Sequence, residues 1–188
     1  MAHDGQDMTL TAEAHLSDLL SLTADALPPV QAILAKAKDA VRATVSTDGR
    51  VSNGLIETHQ TASHGLAWLA TYAESLAQMH KWATKLDADG KFGEAEKLIL
   101  QITFGEYLWQ IYGGIQMNQG EVVRLQDMGL SQSDMSALMA DAVMTLTQRA
   151  NTQAARTRLV ELMQEQSANV TVGASGLDEE LEMIRDQF

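Results

Sequence analysis

The chain contains no cysteine, which excludes disulfides, thiolate metal sites and thiol catalysis. Proline occurs only at positions 28 and 29, so little in 188 residues forbids helix. Basic residues are scarce, 13 against 25 acidic ones, for a formal charge of -12 and a pI near 4.7. That balance argues against sequence-independent binding to nucleic acid or to an anionic membrane, since both need clustered Lys and Arg. No stretch approaches the roughly 18 apolar residues of a membrane span, and no signal-peptide core opens the chain. The sequence reads as soluble and cytoplasmic. Also missing is any run of alternating β-branched residues long enough for a sheet.

What is present is helical periodicity. With 45% hydrophobic residues the chain can bury the core of one domain, or of one domain plus a tail. The first 25 residues carry Asp4, Asp7, Glu13, Asp18 and Asp25 with no Lys or Arg, and residues 1–11 are expected to be disordered. A helix with Leu16, Leu19, Leu20 and Leu27 among its apolar positions is expected to end near Leu27, because proline suits a helix start. A second would run from Pro29 to Val45, presenting Val30, Ile33, Leu34, Ala37 and Val41, before a turn at Asp48-Gly49. After Asn53 as N-cap, Leu55, Ala62, Leu66, Leu69, Ala73, Leu76, Ala83 and Leu86 keep close to a 3.5-residue spacing. They predict one helix of about 33 residues, widened by Trp68, Tyr72 and Trp82 and ended by Asp89-Gly90.

Residues 92–112 are apolar nearly all round, as in a helix at the middle of a bundle. Gly105 within them costs roughly 1 kcal/mol of helix propensity, which close approach of a neighbouring helix would offset. Gly113-Gly114 breaks this helix and an irregular stretch follows. Helical sequence resumes at Ser131 or Ser133 with Met135, Leu138, Met139, Val143 and Leu146, and a last bundle helix ends near Met163. The expected fold is all-α: a bundle of about five to six helices with one long central helix, spanning residues 1–166. Residues 167–176 are small, polar and glycine-containing and read as a flexible linker. Residues 177–188 begin a further amphipathic helix: Leu177, Leu181, Ile184 and Phe188 form one stripe, Asp178, Glu179 and Glu180 favour the helix dipole in the first turn, and no stop signal follows.

Catalytic constellations are absent from the pattern. His59 and His64 are five apart, about 140° around a helix rather than on one face, and no HExxH occurs, so neither is expected to hold a metal. Glu57, Glu74, Glu94, Glu96 and Glu106 never form the ExxH pairs of di-iron bundles. Gly113, Gly114 and Gly120 make no GxGxxG, and no GxSxG elbow is present. Met135, Met139 and Met144 read as core filler.

The residues do carry a resemblance. LDEELEMIRDQF (177–188) resembles the first helix of the acyl-CoA dehydrogenase flavoprotein fold. HGLAWLATYAESLAQM (64–79) and GKFGEAEKLILQITFGEYLWQIYGGIQMNQGE (90–121) resemble the N-terminal extension of one subgroup, the bacterial methylsuccinyl-CoA dehydrogenases of the ethylmalonyl-CoA pathway. The match covers 52–130 and resumes at Leu177. Gln110-Ile111-Tyr112-Gly113-Gly114 also resembles two turns of the family's C-terminal domain. One approaches the flavin of a neighbouring subunit, which would make Gln110, Gly113 and Gly114 cofactor-binding candidates. The other commonly bears the catalytic glutamate, where this chain has Gly113 and could abstract no proton. The alternative is that Gly113-Gly114 is only a helix stop.

The resemblance implies a non-catalytic N-terminal domain of an FAD-dependent acyl-CoA dehydrogenase with a structural or oligomerisation role. The parent reaction would be α,β-desaturation of a short branched acyl-CoA, methylsuccinyl-CoA to mesaconyl-CoA, with a carboxylate base removing the α-proton and FAD accepting the β-hydride. The base, most FAD contacts and the acyl pocket would follow Phe188, leaving no catalytic or metal residue here and only Gln110, Gly113 and Gly114 as cofactor candidates. Implied partners are the dehydrogenase body of its own chain, further copies in a homo-oligomer, and the acyl-CoA substrate. The competing reading is a free-standing helical interaction module whose last helix binds a separate partner.

Overall fold

A computed structural model describes residues 15–165 and 175–187; the expectations for 1–11, for most of the 167–176 linker and for Phe188 fall outside them. The fold is all-α, with eight α-helices and two small antiparallel hairpins among the described residues.

Helix α1 is a single 26-residue element, Leu19–Thr44, with Pro28 and Pro29 inside it. This corrects the expected break near Leu27. Two prolines remove two backbone donors and disfavour the helical region for the residue before each. They nevertheless sit toward the outside, Pro28 exposed and Pro29 half-buried, so the carbonyls of Ala24 and Asp25 lose their partners near solvent. On the opposite side Leu19, Thr23, Ala26, Val30, Ile33, Ala37 and Val41 are all buried. Packing along that unbroken stripe outweighs the local preference.

Asp48 and Gly49, both at positive φ (51° and 74°), close a hairpin of β1 (Ser46–Thr47) and β2 (Arg50–Val51). The long helix expected next is two helices, α2 (Asn53–Thr58) and α3 (Gln60–Ala88, 29 residues), broken at His59. The N-cap is Ser52 rather than Asn53; its hydroxyl accepts from the Leu55 amide. The apolar spacing runs through His59 in phase, Leu55 to Ala62 being two turns, so periodicity hides the break. Asp89 and Gly90 end α3 as expected.

Helix α4 is Glu94–Gly113. The irregular stretch after it is a second hairpin, β3 (Ile115–Asn118) and β4 (Glu121–Val123), followed by a 3-10 turn at Leu125–Met128. Helix α5 (Gln132–Leu138) starts on a Ser131/Asp134 capping box, and α6 (Asp141–Arg149) and α7 (Gln153–Glu165) follow as separate helices.

Helices α1, α3, α4 and α6 form a four-helix frame in which α1 packs on α3 and α6, and α4 packs on the same two from the other side. Phe104, Leu69, Leu76, Leu100 and Leu108 fill its centre. The longest helix, α3, packs on α1, α4, the 3-10 turn and the second hairpin, and α4 touches α3, α6 and α7. Helix α7 covers it through a second cluster of Ala95, Leu98, Ala155 and Leu162. Gly105 is where α4 meets the α6–α7 turn; a Cβ there would stand 2.8 Å from the Asn151 amide nitrogen and 3.1 Å from Ala150 Cβ. Met135 is core as expected and Met139 half-buried, but Met144 is 39% exposed and fills nothing.

Helix α8 (Glu179–Asp186) is capped by Asp178, which accepts from the Leu181 amide at 2.9 Å. Just before it, at Gly176, an added Cβ would stand 3.1 Å from the Trp82 indole. Leu177, Leu181 and Ile184, the stripe read from sequence, are 41–47% exposed.

Candidate interaction face

A set of aromatic and polar side chains joins α3 to α4. Tyr72 (α3) and Tyr107 (α4) stack with centroids 4.4 Å apart and planes 12° apart, and Trp68 meets Tyr72 edge-on at 6.0 Å. One turn before Trp68, His64 accepts its indole N–H at 3.1 Å. The Tyr72 hydroxyl donates to Gln110 Oε1 at 2.7 Å, and Gln110 Nε2 donates to Glu106 Oε1 at 2.6 Å. The second oxygen of Glu106 accepts from Asn151 Nδ2 at 2.7 Å. One connected chain of side chains thus joins α3, α4 and the α6–α7 turn. Burial, then the proximity of Tyr107 and Glu106, pushes the Tyr72 phenol above its usual pKa. Beside this chain, Trp109 stands 55% exposed over an open cleft of about 400 Å³ lined by Gly105, Glu106, Thr147, Gln148 and Asn151.

Two further polar groups brace α4. Gln101, 1% exposed, accepts from the Leu16 amide at 2.9 Å and donates to the Ala150 carbonyl at 3.1 Å. At the start of the helix Arg158 holds Glu94 in a two-pronged ion pair, 2.8 and 2.9 Å, and also reaches Glu161 and Glu165. Its hydrogen bond keeps the Glu94 carboxyl below the usual range. Elsewhere, buried Thr23 on α1 pairs with His80 Nδ1 on α3 at 2.9 Å, and burial lowers the His80 pKa.

Gln110 lies inside the carboxamide chain with both ends of its amide engaged. Gly113 is exposed at the last turn of α4. Gly114 follows at φ +130°, where a Cβ would stand 2.5 Å from Val122 Cγ1, so it is the hinge that folds β3–β4 back onto the helix. His59 marks the α2/α3 break and His64 serves Trp68. Glu94 and Glu106 are both engaged, but with different partners. Among the described residues no three His, Cys, Asp or Glu side chains gather as a metal site, and no helix is long and apolar enough to cross a membrane. The Tyr72–Gln110–Glu106–Asn151 chain, Gln101 and the Thr23–His80 pair were not read from sequence. Thr23 did leave a signal, a hydroxyl at an i+4 step of the α1 stripe.

This helical segment is similar to part of an acyl-CoA dehydrogenase. The relative is the (2S)-methylsuccinyl-CoA dehydrogenase of Cereibacter sphaeroides, 54% identical over 179 residues, which cover 95% of this chain. The chain spans 32% of that relative's length. No protein-family model matches. The resemblance to an acyl-CoA dehydrogenase, and to a methylsuccinyl-CoA dehydrogenase in particular, is borne out.

Proposed function

We propose that this chain is the non-catalytic N-terminal helical domain of an FAD-dependent acyl-CoA dehydrogenase, and that its role is to cover and steady helical surface on the dehydrogenase body. The parent reaction in this reading is α,β-desaturation of a short branched acyl-CoA, methylsuccinyl-CoA to mesaconyl-CoA. The observation that carries it is the 54% identity, extended over nearly the whole chain, to about a third of one such enzyme. Residues 1–166 are then the added bundle, 167–176 the linker, and 177–188 the opening helix of the catalytic body. The exposed stripe of α8 supports that last assignment, since a helix packed on one side only in the body would leave Leu177, Leu181 and Ile184 bare without it.

FAD supplies the hydride acceptor of the family's chemistry. Of the residues considered for it, Gln110 does not fit: its amide oxygen and nitrogen are committed to Tyr72 and Glu106. Gly113 and Gly114 serve the turn between α4 and the hairpin, so no step of the reaction is assigned to this segment. Homo-oligomerisation, acyl-CoA binding and a cytoplasmic setting belong to the same proposal.

The test is deletion of residues 1–170 from the full-length enzyme, followed by sedimentation, thermal unfolding and turnover. Loss of solubility or a changed assembly state is expected. Unaltered assembly, stability and turnover would sink the structural role.

A further inference from the structure

We infer that the outer face of α4, centred on Trp109, is the surface on which the dehydrogenase body of the same polypeptide docks; this rests on the function proposed above and names its contact. From 98 to 113 the helix contains one charged residue, Glu106. A helix at a protein surface ordinarily turns charged side chains outward. Here the half-buried positions Ile99, Thr103, Glu106 and Gln110, at steps of four, three and four, and the exposed Trp109 beside them, are apolar or internally paired. Both oxygens of Glu106 take amide donors, so its charge is already solvated by the bundle. Depletion of charge around a tryptophan is the composition of an interface core. The hydrogen bonds beneath also hold those side chains in place, which lowers the ordering cost of docking.

Exposed apolar residues on α7 and at the first hairpin lack this setting. Val160 and Met163 on α7 share their helix with Arg156, Arg158, Glu161 and Glu165. Val51 stands at a hairpin next to Arg50. The occupant follows from tethering and charge. About two thirds of the relative's length lies outside the matched stretch, and a body joined to the bundle by a short linker is present at high effective concentration. A second copy of this segment would instead bring together two bodies of charge -12 each, which repel.

The experiment places a benzophenone photo-crosslinking residue at Trp109, and separately at Val51, in the full-length enzyme. After irradiation, the products are run under denaturing conditions and digested for mass spectrometry. At position 109 the expected product keeps monomer mobility and joins this helix to a peptide beyond Phe188, while position 51 gives no such link. A link from 109 to residues 15–165 of a second chain, or no link from 109, overturns the inference. Trp109→Glu supplies the independent reading: it should reproduce the assembly or solubility change of the 1–170 deletion. If the deletion changes assembly but neither 109 variant responds, this face is wrong and the structural role stands. If the deletion itself is silent, the role fails.

Discussion

Tyr72 of α3 donates a 2.7 Å hydrogen bond to Oε1 of Gln110 on α4, across a separation of 38 residues in sequence. Since Gln110 in turn engages Glu106, this bond sets the end of a chain that runs to Asn151 beyond α6. Tyr72→Phe keeps the stack on Tyr107 but leaves the Gln110 oxygen without its donor. The expected cost is about 1–2 kcal/mol in urea unfolding, since the partner stays half-buried and unpaired.

The same phenol predicts an alkaline limit. Its folded-state pKa is raised above the usual 10.0 by burial and by Tyr107 and Glu106. Below that usual value both folded and unfolded chains carry the neutral form, and the hydrogen bond is fully present. As pH rises through the folded value, the unfolded chain has already lost its proton and stability falls. Absorbance titration should find one of the three tyrosines ionising late, and Tyr72→Phe should remove that late step. Three tyrosines titrating together near 10 would contradict it.

Glycine substitutions in α4 should divide by position. Gly105→Ala puts a methyl 2.8 Å from the Asn151 backbone nitrogen, an atom fixed by the α6–α7 turn. Overpacking of this kind costs about 1–3 kcal/mol, which exceeds the roughly 1 kcal/mol gained in helix propensity. Gly113→Ala meets nothing within 4 Å and should be neutral or stabilising. Gly114→Ala, at φ +130° and 2.5 Å from Val122 Cγ1, should destabilise again. Melting temperatures with Gly113→Ala at or above wild type, and wild type above the other two, are the expected readout. A harmless Gly105→Ala would mean that the α4 contact with Asn151 is loose.

These glycines also mark how much the sequence discloses. Gly105 in an apolar helix pointed to a close neighbour before the neighbour was known, and Gly113-Gly114 pointed to the helix end. Local signals also located Asp48-Gly49, Ser131 and Asp89-Gly90. Pro28-Pro29 misled, because the rule it invokes concerns the local backbone while seven buried side chains on the other face decide the outcome. His59 could not be seen as a break, since the apolar period continues through it. The face on α3 and α4 was half visible: Gln110 was noticed for its likeness to a flavin turn. Its actual partners lie 38 and 4 residues away, and the helix pairing that brings Tyr72 there leaves no trace in one sequence.

His80 gives the last prediction, on the acid side. Its ring nitrogen Nδ1 meets Thr23, a hydroxyl fully buried in the α1 stripe, and burial lowers its pKa below 6.5. A histidine held neutral in the fold binds its proton more readily when unfolded. Its contribution is therefore complete above the unfolded value and is lost as pH falls through the folded one. Urea midpoints measured between about pH 8 and pH 5 should decline toward acid. His80→Gln, which can still offer Thr23 an amide, should flatten that decline without changing the midpoint much at the alkaline end. The histidine C–H resonances should show His80 titrating below 6.5. A His80 resonance titrating at or above the ordinary value, with the acid slope unchanged in the variant, would remove the Thr23–His80 pair as a source of pH dependence.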